Sequence, residues 1–161
     1  MSYPRFFKPY LKLNLSHINF PIHLSVGFRN TFHRLPEDSY VNDHSRNRRY
    51  GNYKVIKIND YFPEFSINHT EKTIYKQNVE DSRKEYREFE LLENPYDPFV
   101  IEYLKYMSRL LNYSNPFNEL SIDLHQVRQI VYPETISHNS PEGIHKDGSD
   151  FVVPALVFSR F

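Results

Sequence analysis

An imidazole and a carboxylate stand two residues apart late in the chain, His145 and Asp147, within Pro141-Glu142-Gly143-Ile144-His145-Lys146-Asp147-Gly148. In an extended strand, residues i and i+2 point to the same face. The two side chains would then project side by side and could take adjacent positions on an octahedral ion. One distal His would complete a 2-His-1-carboxylate triad, leaving three positions for a bidentate oxo acid and dioxygen. Gly148 lets the chain turn away, and Pro141-Glu142-Gly143 makes a turn before the pair. The bare His-x-Asp spacing is weak by itself, because such a pair is more often a surface turn than a metal site.

Other candidates have simpler competitors. Arg128 could contact a substrate or cosubstrate, but a structural ion pair, for instance with Asp123 or Glu142, is the better reading. Glu142 fits the turn, or could orient His145 as an outer partner. Arg46, Arg48 and Arg49 beside Tyr50 and Tyr53 could meet phosphates and bases. The flanking Glu37, Asp38 and Asp43 favour a packed loop instead. His17, His23, His33, His44 and His69 show no ligand spacing to one another and read as surface or packing residues.

These side chains need elements to hold them. Pro98–Asn112 predicts a helix: Asp97 can cap it, Pro98 suits the first turn, and Phe99, Val100, Tyr103, Leu104, Met107, Leu110 and Leu111 share one face. Tyr53–Ile58 and Ile122–Val131 read as strands. Ile144–Asp147 leads into another, and Phe151–Phe158 into a third in which Pro154 demands an edge or bulge. Residues 1–30 read as an irregular or stranded lead-in, residues 33–50 as a loop, and residues 69–92 as a strand followed by a polar surface segment. A helix followed by strands predicts an α+β domain with a largely antiparallel sheet or barrel.

Composition narrows the classes. Residues 1–161 suit a single domain. Lys plus Arg and Asp plus Glu both number 20, so charge gives no support to a nucleic-acid or acidic-membrane partner. There is no cysteine, which removes disulfides, thiolate metal sites and cysteine nucleophiles. No apolar run reaches the roughly 20 residues of a membrane span, and the N-terminus has no signal-like apolar region. A cytoplasmic protein is the default expectation.

The stretch SPEGIHKDGSDFVV resembles the PEGxHxDGxDF signature of bacterial 2-oxoglutarate/Fe(II)-dependent dioxygenases that include the L-isoleucine hydroxylases. His125-Gln126-Val127-Arg128 is similar to that family's preceding strand. Arg34-Leu35-Pro36-Glu37-Asp38-Ser39-Tyr40 and Arg48-Arg49-Tyr50 resemble its N-terminal elements. Order and spacing agree from about residue 25 onward. The resemblance implies a mainly antiparallel double-stranded β-helix, a cupin-like jelly roll with flanking helices. It implies Fe(II), 2-oxoglutarate and O2, a small-molecule substrate such as a free L-amino acid, and His145 and Asp147 as the first two iron ligands.

The family also has a downstream His ligand and, beyond it, an Arg for 2-oxoglutarate. No His follows His145, and Arg160 is the only basic residue after Asp147. The expectation is therefore a partial domain over 1–161, incomplete at its C-terminus and inactive or weak in iron binding. A non-catalytic jelly-roll binding module or degenerate remnant is the alternative.

Overall fold

A computed structural model describes residues 13–15, 18–41, 44–76, 86–131 and 149–155. Its long central strand β1 is Arg46–Asn59, flanked by β2, Glu64–His69, and β5, Glu119–Gln129. The order is β2-β1-β5 and both pairings are antiparallel. A separate antiparallel pair joins β3, Ile74–Lys76, to β4, Tyr86–Glu88. Two α-helices, α1 at Ser25–Thr31 and α2 at Pro98–Ser114, complete the elements, with one-turn 3-10 segments on either side of α1.

The register of β1 and β5 decides what each sheet face carries. Tyr53 pairs with Ile122 and Gly51 with Leu124, while Tyr50 pairs with His125 and Asn52 with Asp123. Paired residues of an antiparallel ladder share a face. Tyr53, Val55, Ile67, Ile122 and Leu124 therefore form one face with the helices over it. Arg46, Arg48, Tyr50, Asn52, Asp123 and His125 form the other. The helix-bearing face makes the apolar core with Phe20, Phe28, Leu92, Phe99, Val100 and Leu104. Phe28 stacks on Phe99 at 5.3 Å between ring centroids, and Tyr53 donates its hydroxyl to the Pro95 carbonyl at 2.7 Å.

Helix α2 forms where the sequence predicts it. The Asp97 carboxylate accepts from the Phe99 amide at 2.9 Å, and Pro98 occupies the first turn. The helix runs two residues past Asn112. The extended backbone of Asn115, which precedes Pro116, then stops it.

Three expectations change. Residues 22–30, expected in an irregular or stranded lead-in, are helical turns, and these continue through Arg34 into the start of the expected loop. The i, i+4 spacing of Leu24, Phe28 and Phe32 gives them a buried stripe against α2. Residues 46–50 are not loop. They are the first half of β1, paired from Arg46↔Gln129 onward. The expected strand over Phe151–Phe158 is absent in its described part. Residues 151–155 make no strand, and Phe151, Val152 and Val153 are exposed. Residues 132–148 lie outside the described residues, and with them Ile144–Asp147. Among the described residues no helix is long and apolar enough to cross a membrane. Antiparallel sheet with helices on one face is the mixed architecture anticipated, and it is compatible with a jelly roll.

Candidate functional site

The face of the sheet turned away from the helices holds a buried charged cluster walled by rings. Period-two alternation along β1 places Arg46, Arg48 and Tyr50 there in succession. The loop before β1 contributes Asp38, which is 1% exposed. Arg46 donates from Nε to Asp38 Oδ2 at 2.8 Å, and Arg48 Nη1 lies 3.8 Å from the same oxygen. The other Asp38 oxygen accepts from the Tyr40 amide at 3.1 Å, so the carboxylate also holds its own turn. The β3-β4 pair brings Arg87, buried on β4, with its guanidinium 5.5 Å from the Tyr40 ring.

Aromatic groups enclose this charge. Arg48 lies over the Phe89 ring at 4.9 Å. The His125 ring on β5 meets Tyr50 at 5.0 Å, Tyr75 at 4.8 Å and Phe89 at 5.9 Å. Burial pushes the His125 pKa down to about 3, and Arg48, Arg46 and Arg87 add to the effect, so the imidazole is neutral at pH 7. Burial also lowers Arg48 to about 10, aided by Arg46 and opposed by Asp38, which leaves it charged. Tyr50 is fully buried and donates to Asp123, which also accepts from Asn52 at 2.8 Å. Burial first, and that hydrogen bond second, raise the Tyr50 phenol and keep it protonated.

The sequence-derived candidates scatter relative to this cluster. His145, Asp147 and Glu142 lie outside the described residues. Arg128 is described, and its pairing with Asn47 puts it on the helix-bearing face. It donates from Nη2 to Asn47 Oδ1 at 3.2 Å. The expected partner Asp123 is five residues away, so it points to the opposite side. Arg46, Arg48 and Arg49 were expected in a packed loop. They instead alternate along β1, and Arg49 turns away from the cluster toward Glu90 at 3.4 Å. His125 was named only as part of a family-like strand, without a role, and Arg87 carries no local signal at all.

A family model described as 2OG-Fe dioxygenase matches residues 29–160. The chain belongs to the 2OG-Fe dioxygenase family. The match takes in β1, β5 and the His145/Asp147 segment. The crystal structure of a bsmA homolog from Methylobium petroleophilum PM1 superposes with a TM-score of 0.60 at 18% identity. That similarity covers 71% of this chain and 47% of the other, so this chain spans about half the length of that structure. At such identity the likeness concerns the fold alone. No curated protein matches the chain.

Membership in the 2OG-Fe dioxygenase family implies Fe(II) and 2-oxoglutarate. The described residues fit the anionic part of that set. Arg46 Nη2 and Arg48 Nε are buried without a hydrogen-bond partner, and an acceptor is what they lack. The same guanidinium groups oppose a cation beside His125. Among the described residues no group of three His, Cys, Asp or Glu is arranged to hold a metal. Iron would therefore need ligands from elsewhere, and His145 and Asp147 have the right donor chemistry.

Proposed function

We propose that this 2OG-Fe dioxygenase hydroxylates a free L-amino acid or a similar small molecule on a jelly-roll scaffold, with His145 and Asp147 as two of its iron ligands. The observation that carries the reading is the family match over residues 29–160, which takes in the PEGIHKDG segment. Bound iron supplies the activation of O2 coupled to oxidation of 2-oxoglutarate to succinate and CO2. The chain's own residues supply the surroundings. Tyr50, Tyr75 and Phe89 keep water from the polar face, and the neutral His125 neither gives nor takes a proton at pH 7. Glu142 is assigned to orienting His145. Arg128, on the helix-bearing face, is assigned to bracing β5 against β1 through Asn47 rather than to the substrate.

Anaerobic calorimetry with Fe(II), with and without 2-oxoglutarate, tests this on the full chain and on Asp147→Ala. The expected result is iron binding that 2-oxoglutarate strengthens and the substitution removes. Iron binding that ignores Asp147, or none at all, would overturn the assignment.

A further inference from the structure

The polar face of the sheet carries more positive than negative charge. Arg46, Arg48 and Arg87 stand against Asp38, the single buried carboxylate on this face among the described residues. Asp38 is already committed, with Oδ2 on Arg46 at 2.8 Å and Oδ1 on the Tyr40 amide at 3.1 Å. Arg48 reaches it at only 3.8 Å. The Arg46 side chain is 7% exposed and the Arg48 side chain 16% exposed. Yet Nη2 of Arg46 and Nε of Arg48 have no partner. Buried donors are almost always satisfied. Nε of Arg29, Arg49 and Arg128 is orphaned as well, and what sets Arg46 and Arg48 apart is that both converge on one carboxylate, Asp38, that already serves the Tyr40 amide.

The surroundings narrow the choice of acceptor. Arg46 and Arg48 are one pleat apart on the same face, so both forks serve one small volume. A guanidinium fork matches a carboxylate in two parallel hydrogen bonds. Phe89 lies under Arg48, and Tyr50, Tyr75 and His125 form a ring cluster beside it. Rings next to the charge suit an organic acid whose carbon skeleton packs on them. An inorganic anion would use only the charge.

We propose that Arg46 and Arg48 receive the carboxylate of a small organic acid on this face. The acid's identity rests on the dioxygenase reading above: it is 2-oxoglutarate or the amino-acid substrate. Carboxylate recognition is thereby assigned to the first half of β1, well before the His145/Asp147 segment.

The test is calorimetric titration of the metal-free full chain with 2-oxoglutarate, L-isoleucine or inorganic phosphate, each alone. Arg48→Met removes the fork but keeps a stem over Phe89. Arg49→Met makes the same charge change on the opposite face. The expected result is saturable binding of one acid, weakened at least tenfold by Arg48→Met and less than twofold by Arg49→Met. Tighter binding of 2-oxoglutarate makes the cosubstrate the source, and tighter binding of L-isoleucine makes it the substrate. If Arg48→Met melts early, Arg48→Lys, which keeps the charge without the fork, must weaken the acid at least threefold. The inference is overturned by absence of binding, by phosphate binding as tightly as the better acid, or by indifference to Arg48. Loss of iron binding with acid binding intact sinks the dioxygenase reading alone. Acid binding that ignores Arg48 in an iron-competent chain sinks this inference alone.

Discussion

Asp38 shows how much one side chain can carry. It is buried, accepts from Arg46, and closes its own turn through the Tyr40 amide. Removing it leaves the buried Arg46 charge uncompensated, and breaking a buried pair this way costs about 3–5 kcal/mol. Asp38→Ala should therefore lower the unfolding free energy by that amount in urea denaturation. Asp38→Asn keeps an acceptor for the Tyr40 amide and should lose less. A loss under about 1 kcal/mol for the Ala variant would mean that water reaches the pair.

At the level of elements, β1 is the organising strand. Its C-terminal half pairs with β2, while Tyr50 exchanges backbone hydrogen bonds with Glu90 and Leu92 on the same edge at 2.9 Å each. That approach depends on Gly51. A Cβ there would lie 2.9 Å from Leu92 Cδ1 and 3.1 Å from Tyr53 Cε2. Leu92 is 5% exposed and Tyr53 is 0% exposed, so neither can swing away. Gly51→Ala should destabilise the protein by about 1–3 kcal/mol through overpacking, although alanine otherwise suits a strand better than glycine. A thermal melt checks this, and an unchanged midpoint would show that Leu92 repacks freely.

For the whole molecule, two half-buried histidines tie stability to pH. His125 has its folded pKa lowered to about 3, against roughly 6.5 in an unfolded chain. His69 is also lowered, by burial. Below pH 6.5 the unfolded state takes up protons that the folded state refuses. Stability is therefore full above pH 6.5 and declines as pH falls toward 3. Urea midpoints measured between pH 6.5 and 5, above the range where most carboxylates titrate, should fall steadily for the native chain and less steeply for His125→Phe. Equal slopes would mean that His125 protonates without cost in the fold.

Much of the scaffold was legible in the sequence. The Asp97-Pro98 cap and the apolar stripe from Phe99 to Leu111 specified α2, and the alternation around Tyr53 and Ile122 marked the two core strands. Such patterns report local backbone preference and burial on one face, which are encoded within a few neighbouring residues. The charged stretch before Tyr50 read as loop, because its arginines look solvated until Asp38, Phe89 and β5 are placed around them. Arg87 reaches the same cluster from β4, and His125 from β5, 39 and 77 residues after Arg48 respectively. The motif at His145 and Asp147 suggested a metal ion through the resemblance of its surrounding residues to a family signature, since the spacing alone was weak. Only the tertiary structure showed that β1 turns two arginines inward beside a neutral imidazole, because strand register alone decides which side of a charged alternation meets water and which is buried.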